Sequence, residues 1–278
     1  MLMAQIIIHI NNQIGSRNYL TAINSINKLL SIIIKLKTAH DRGILWLEQY
    51  CLLSLGLCYY YINEIKKSER SYLQALKTVQ EIGDKTSEIR CYRQLSIVYE
   101  KGNLEKSIEC SINALRIAEQ IEDKQEIFSC SFSIGLYLSL AFYYREAIYY
   151  LEKALEIADE IEDKRSSSKN NFEGLVNLQL AFVHNNLGNY QKAIQFADRA
   201  LKLKNGLHEV SESNCYLQLG ISYKGLLQYQ KGIYYIKKAL AQKNKISEID
   251  DKAGKAECYA NLSLITVNLF DYKKGLEY

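Results

Sequence analysis

A dipeptide that returns at a nearly fixed interval constrains the fold of this chain more than any other feature of its sequence. Alanine followed by leucine recurs at Ala75, Ala114, Ala154, Ala200 and Ala239, at intervals of 39, 40, 46 and 39 residues. A period in this range is typical of arrays of helix pairs, because one pair cannot bury its apolar face alone and stacks on the next. The interval therefore predicts an all-α fold, an α-solenoid of antiparallel helix pairs.

Small residues at two further positions of each repeat predict where the two helices of a pair touch. Antiparallel helices approach to about 8–10 Å only where small side chains meet. The predicted first helices centre on Gly56, Ser96, Gly135, Ala181, Gly220 and Ser263, and the second helices open with Ser68, Ser107, Ala147, Ala193, Gly232 and Gly275. In the best-preserved copy, residues 186–201, Gly188, Ala193 and Ala200 are predicted to set the distance between helices.

The repeats divide the chain into two predicted parts. Residues 1–37 are predicted to be an irregular N-terminal helix pair, a cap or degenerate repeat. The alternative is that an upstream region once covered the isoleucines of this segment. Residues 38–278 are predicted to hold five complete repeats and a truncated sixth. Because a solenoid normally ends in a polar cap, a sixth repeat that stops within its second helix predicts a fragment of a longer protein.

Polar residues between the repeats predict helix starts and one loop. Asp84 and Asp123 are placed to cap the helices that follow them, and Asp123 with Glu126 matches the D-x-x-E capping box. Because these acids lie on separate turns, they are not expected to bind a metal. The polar stretch over residues 164–171 is predicted to be a loop.

The composition argues against several classes of function. Proline is absent, which helices joined by tight turns tolerate, and the 35 basic and 31 acidic residues are interspersed, giving a net charge of +4 without a stripe for nucleic acid. The seven cysteines form no CxxC pair, which favours free thiols in the cytoplasm. No stretch reaches the roughly 18 apolar residues of a membrane span, so no membrane partner is expected.

The repeated residues resemble tetratricopeptide repeats over about residues 15–278. The resemblance is clearest in Leu187-Gly188-Asn189-Tyr190 with Ala193, and in Leu219-Gly220 with Tyr223. The chain lacks the terminal proline of the roughly 34-residue form, and its longer period is similar to the subclass of kinesin light chains, LGN-like adaptors and bacterial regulators. The resemblance implies a right-handed superhelix that binds a peptide or protein segment in a concave groove lined by the first helices.

Mapped onto that groove, one uncharged polar residue precedes each small centre by two positions. These residues are Ser54, Gln94, Ser133, Gln179, Gln218 and Asn261. Their side chains donate and accept hydrogen bonds, as a peptide backbone does. Two interpretations stay open: a ladder that binds a peptide, and a row of exposed polar residues without a ligand. Replacing the three glutamines by alanine is expected to weaken binding and to leave the melting temperature nearly unchanged.

Apolar and basic residues complete the predicted groove. The neighbouring positions on the same face are Leu57, Arg93, Ile97, Phe132, Leu136, Leu178, Phe182, Leu217 and Ile221. A surface of this kind suits a hydrophobic or amphipathic peptide or helix. Early in the groove, Arg90, Arg93 and Lys101 are predicted to receive an acidic residue of the partner.

The sequence contains no motif of an enzyme or of a cofactor site. G-x-x-x-x-G-K-[ST], G-x-G-x-x-G, H-E-x-x-H and G-x-S-x-G are absent, and His184 takes a slot that tyrosine holds in other repeats, which predicts packing. We therefore expect a non-enzymatic protein–protein interaction scaffold without a cofactor. The alternative is the regulatory or sensor region of a larger protein whose effector domain follows residue 278. Apolar residues at 6–10 and 269–270 are predicted to be unpaired at the array ends, where a homodimer can form.

Overall fold

The computed structural model describes residues 2–36, 42–161, 167–203, 209–245 and 252–269, and every regular element in these ranges is an α-helix. In chain order the helices are α1 (Leu2–Gly15), α2 (Tyr19–Leu36), α3 (Arg42–Tyr61), α4 (Ile65–Ile82), α5 (Lys85–Tyr99), α6 (Leu104–Gln120), α7 (Lys124–Leu140), α8 (Tyr144–Glu160), α9 (Ser167–Asn186), α10 (Tyr190–Lys202), α11 (Glu209–Gly225), α12 (Tyr229–Lys243) and α13 (Lys252–Asn268). The predicted all-α class is confirmed.

Sequence neighbours pack as antiparallel helix pairs. Contacts join α1 to α2, α3 to α4, α5 to α6, α9 to α10 and α11 to α12, and further contacts join α2 to α3, α4 to α5, α8 to α9 and α10 to α11. The turns inside the pairs α1–α2, α3–α4, α5–α6, α9–α10 and α11–α12 are only three or four residues long, so the two helices of each of these pairs run in opposite directions. The predicted pairing is confirmed.

The small residues meet inside the helix pairs, as the repeat pattern predicts. Ser68 Oγ on α4 donates a hydrogen bond to the Gly56 carbonyl on α3 at 2.8 Å. A Cβ added to Gly220 on α11 would lie 3.2 Å from the Gly232 carbonyl oxygen on α12, closer than most Cβ contacts. Larger side chains at these positions would push the helices apart, so the small residues set the helix separation.

Two aspartates begin helices, as predicted. Asp84 accepts a hydrogen bond from the Ser87 amide at 3.1 Å, and Asp123 accepts one from the Glu126 amide at 3.1 Å. Burial alone would raise the pKa of Asp84, but its hydrogen bonds to Ser87 hold that pKa below the usual value. The reciprocal half of the capping box at Asp123 is absent, because the Glu126 carboxylate forms an ion pair with Arg93 at 2.8 Å.

Gly188 has a different role from the predicted one. A Cβ added there would meet no atom within 4 Å, so this glycine does not set a helix distance; its φ of 74° lies in the left-handed region. The same turn position holds Phe142, with φ 65°, and Leu227, with φ 60°. Left-handed backbone costs an L-residue with a Cβ about 1–2 kcal/mol. The turns at Phe142 and Leu227 are therefore strained, and the turn at Gly188 is not.

The chain divides into two compact units, Met1–Tyr137 and Leu138–Tyr278. The core of the first unit is built around buried residues such as Ile26, Leu47 and Leu95. Buried residues such as Leu219 and Ile236 form the core of the second unit. The predicted boundary between residues 37 and 38 falls outside the described residues and stays a prediction.

The N-terminal isoleucine run is packed against the protein, contrary to the prediction that it is unpaired. Ile10 is fully buried, and Ile6 and Ile7 pack against the same cluster, because α1 turns this face toward α2. Ile8 is 58% exposed, and at the other end Leu269 is 41% exposed. Phe270 lies outside the described residues. A homodimer through the array ends stays a prediction.

The predicted loop over residues 164–171 is wrong in its C-terminal half, because α9 already begins at Ser167. No proline or glycine interrupts residues 167–171, so a polar composition alone does not stop the helix from starting there. Residues 162–166 lie outside the described residues, as do Gly275 and the predicted second helix of the sixth repeat.

Candidate binding face of the first helices

In the first unit, a pocket opens on the face that α3 and α5 share. Its volume is about 180 Å³, and its lining residues are Tyr50, Leu53, Ser54, Leu57, Tyr72, Arg90 and Gln94. The predicted site residues Ser54, Leu57 and Gln94 therefore meet at one place, although they belong to successive repeats. Leu53 and Leu57 are half-buried and form its apolar part.

Hydrogen bonds hold the polar groups of this pocket in place. The Tyr72 hydroxyl on α4 donates to Gln94 Oε1 at 3.2 Å, and no described residue accepts from the Gln94 amide hydrogens. The Tyr50 hydroxyl donates to Asn11 Oδ1 on α1 at 2.6 Å. Burial raises the pKa of both tyrosines, so both stay neutral at physiological pH. Gln94 is thus oriented with its donors still available.

Arg90 supplies the positive charge of the pocket. Its side chain is exposed and makes no ion pair with a described residue. After the hydrogen bonds to Ser87, the positive charge of Arg90 also helps to lower the pKa of Asp84 against the effect of burial. A guanidinium presents a planar fork of donors that matches a carboxylate. Together, Arg90 and Gln94 place hydrogen-bond donors beside an apolar surface.

The two other predicted cations are already in contact with groups of the chain. Arg93 Nη1 lies 2.8 Å from Glu126 Oε2 on α7, so a carboxylate of the protein compensates its charge. Lys101 Nζ lies 5.7 Å from the centre of the Tyr60 ring. Arg90 is therefore the better candidate to receive an acidic group.

The α7 part of the predicted groove is half-buried. Ser133 Oγ donates to the Ser129 carbonyl one turn earlier on its own helix, at 2.9 Å. This bond uses the only hydroxyl hydrogen, so Ser133 retains acceptor capacity alone. The half-buried apolar groove positions of this unit are Leu57, Ile97, Phe132 and Leu136.

In the second unit, the predicted ladder residues bind side chains of the preceding first helix. Gln179 Nε2 on α9 donates to Ser139 Oγ near the end of α7, at 2.7 Å. Lys224 Nζ on α11 donates to Asn261 Oδ1 on α13, at 2.6 Å. Burial lowers the pKa of Lys224, with Glu257 acting in the opposite direction. These polar side chains connect one repeat to the next.

Gln218 is the least exposed of the predicted ladder residues in the second unit. Its Oε1 accepts from Asn185 Nδ2 at 2.9 Å, and its carbonyl accepts from the same nitrogen at 3.0 Å. Ser222 Oγ donates to Asn185 Oδ1 at 2.7 Å. Gln218 is 6% exposed and Asn185 is 8% exposed. Both ends of the Asn185 amide therefore have partners in this network.

A regular pattern relates these hydrogen bonds. The sequence predicted the residue on the later helix of each bond but not its partner on the earlier helix. The donor or acceptor on the earlier helix lies four residues after its small centre in each case, at Ser139, Asn185 and Lys224. The sequence carries a signal for these partners, since this position is polar in three successive repeats. Comparing only the positions that precede each small central residue does not detect these partners, because they follow it.

The apolar groove positions of the second unit differ in accessibility. Leu217 is 2% exposed and belongs to the core cluster, so it supports the helix packing. Leu178, Phe182 and Ile221 are half-buried. Of these four apolar positions, three are accessible to a partner and Leu217 is not.

His184 and the cysteines are buried. His184 is 3% exposed and stacks on Phe196 with ring centroids 5.3 Å apart, which confirms the predicted packing role. All seven cysteines are buried thiols outside any disulfide, and burial raises the pKa of Cys91 and of Cys130 to about 12. Protonated thiols are poor nucleophiles. Within the described ranges, no three His, Cys, Asp or Glu residues are grouped to hold a metal ion, and no helix has the length and apolarity to cross a membrane.

Family comparisons place a repeat model on two parts of the chain. A model described as tetratricopeptide repeat matches residues 97–160, and a second model with the same description matches residues 176–206. These segments include the predicted site residues Ser133 and Gln179. The sequence has no match among curated proteins.

Solved structures share the fold over nearly the whole chain. The apo form of RapI has a TM-score of 0.71 at 15% identity and covers 100% of this chain and 85% of its own. The apo quorum sensor NprR of B. thuringiensis has a TM-score of 0.69 at 13% identity, covering 99% and 85%. NprR in complex with its cognate peptide NprX has a TM-score of 0.61 at 16% identity, covering 99% and 76%.

A third protein is much longer than this chain. It is PH0952 from Pyrococcus horikoshii, a signal transduction ATPase with numerous domains and a tetratricopeptide repeat sensor. Its TM-score is 0.65 at 23% identity, and the match covers 99% of this chain and 45% of that protein. At these identities the likenesses establish the helical-solenoid fold and nothing further.

Proposed function

Since this chain is a tetratricopeptide-repeat protein, we propose that it binds a peptide or protein segment on the face of its first helices and catalyses no reaction. The observation that carries the proposal is the pocket of the first unit. There Arg90 and Gln94 keep unused donors beside the apolar side chains of Leu53 and Leu57. The peptide-bound NprR structure supports a ligand of this class.

The chemistry of the pocket defines the ligand more narrowly. Arg90 is suited to a carboxylate, and the Gln94 amide to a carbonyl oxygen of an extended backbone. The leucines of α3 favour an apolar side chain next to the acid. We therefore expect an acidic residue, or a chain terminus, flanked by a hydrophobic residue.

A display library of short random peptides tests this proposal, because selection finds a binding sequence within the library itself. Peptides selected on the full chain should be enriched in an acidic residue next to an apolar one. In calorimetry with a selected peptide, Arg90→Gln should weaken binding about tenfold, since a hydrogen bond to a charged group is worth about 1.5–3 kcal/mol.

The matched control is Arg70→Gln, which removes an exposed arginine from α4 in the same unit. This variant should bind the peptide as the unmodified chain does. Failure to select any peptide, or equal affinities for Arg90→Gln and Arg70→Gln, would refute the proposed site.

A second function is favoured by the likeness to PH0952. The match spans 45% of that protein, whose repeats are described as a sensor. By this proposal the chain is the regulatory region of a larger signalling protein or enzyme. The coding sequence beyond Tyr278 decides it: an effector domain in the same reading frame supports a sensor region, and an immediate stop codon excludes an effector domain on that side.

A further inference from the structure

Two helices of the second unit carry the same exposed aromatic feature. Tyr149 and Tyr150 on α8 correspond to Tyr234 and Tyr235 on α12, because each pair begins two residues after the small residue of its helix. The rings pack edge to face in both pairs, with centroids 5.1 Å apart at 83° in α8 and 5.1 Å apart at 78° in α12. The outer tyrosines, Tyr149 and Tyr234, are 63% and 60% exposed.

The charges around these tyrosines are opposite. Glu152 and Lys237 occupy equivalent positions three residues after the exposed tyrosine, and both are exposed. Neither has an ion-pair partner among the described residues. The whole helices follow the same trend, since α8 carries five carboxylates and two cations, whereas α12 carries four lysines and no carboxylate.

We propose that these outer faces associate with a second copy of the chain, α8 of one copy against α12 of the other. A twofold arrangement makes both contacts at once, because each copy supplies one acidic and one basic face. Glu152 of each copy then faces Lys237 of the other, and each exposed tyrosine packs against the opposing helix. The acidic and basic faces of one copy match the basic and acidic faces of the other. A partner that carries a single sign of charge could match only one of the two faces.

The local geometry lowers the cost of forming this interface. Each outer tyrosine is already held by the ring beside it, so little side-chain freedom is lost on association. Tyrosine supplies contact area and a hydroxyl, and it is enriched at interfaces. The opposite charges fix the relative orientation, because contact of two α8 helices would bring carboxylates together.

Sedimentation equilibrium of the full chain tests the proposal by charge reversal. The unmodified chain should dimerise, and more weakly in high salt. Glu152→Lys and Lys237→Glu should each weaken dimerisation at least about tenfold, because each places like charges together at both symmetric contacts. The double variant restores opposite charges and should recover most of the affinity.

The control reverses exposed charges on a helix outside the interface, with Lys77→Glu and Glu81→Lys on α4. Ile8→Asp separately tests association through the array end. The charge reversals on α4 and the Ile8→Asp substitution should all leave the dimer unchanged. A monomeric unmodified chain, single charge reversals without effect, or a double variant weaker than either single one would each overturn the proposal.

Discussion

Replacing Gln218 by alanine distinguishes a structural ladder from a ligand-binding ladder. Gln218 lies 6% exposed on α11, and its Oε1 accepts from Asn185 Nδ2 at 2.9 Å. If the polar residues of the second unit serve the fold, this substitution destabilises the protein. If they bind a peptide instead, it removes affinity and leaves stability unchanged, which is the expectation from the sequence alone.

The expected loss follows from the hydrogen bonds. Alanine removes the acceptor at 2.9 Å, while Asn185 keeps its bond to the Gln218 carbonyl at 3.0 Å and its bond from Ser222. One lost hydrogen bond costs about 0.5–1.5 kcal/mol net, and an incompletely satisfied buried amide adds to that loss. We expect the free energy of unfolding to fall by about 2 kcal/mol.

Urea unfolding followed by far-UV circular dichroism measures this change through the midpoint at constant slope. A double-mutant cycle of Gln218→Ala with Asn185→Ala should give an interaction energy of about 1 kcal/mol, since the residues share one network. Gln94→Ala is the matched control, because Gln94 is half-buried and retains unused donors; it should lose less stability and more peptide affinity. Unchanged stability of Gln218→Ala together with zero interaction energy would refute the structural role.

Two further predictions concern the turns and the buried imidazole. Leu227→Gly should raise the free energy of unfolding by about 1 kcal/mol, because glycine relieves the strain of a left-handed backbone and the leucine side chain is 71% exposed. Gly188→Ala should lower the free energy of unfolding by a similar amount. A Leu227→Gly variant that is less stable than the unmodified chain would contradict this account. Burial, with Lys192 adding to it, lowers the pKa of His184, so the folded state binds fewer protons than the unfolded state. Its contribution to stability is complete above about pH 6.5 and is lost as the pH falls through the lower folded-state pKa. His184→Phe should flatten the fall of the urea midpoint below that pH, and an unchanged slope would exclude His184 as its source.

The candidate site was only partly predictable from the sequence. Comparing equivalent positions found Ser54, Leu57 and Gln94, which the structure brings into one pocket. It also selected Leu217, which is 2% exposed, because helical periodicity assigns a residue to a face without revealing whether a neighbouring helix covers it. Whether these residues bind a partner stays a prediction.

The sequence by itself determined the repeating helix pair. The alanine–leucine period and small residues such as Gly56 and Ser68 imposed it, because local periodicity selects helices and small side chains select their contact. Only the tertiary structure decided which polar side chains form hydrogen bonds with a neighbouring repeat. Gln179 meets Ser139 40 residues away, and Gln218 meets Asn185 33 residues away. Those partners depend on how one repeat stacks on the next, a distance and angle that no single repeat encodes.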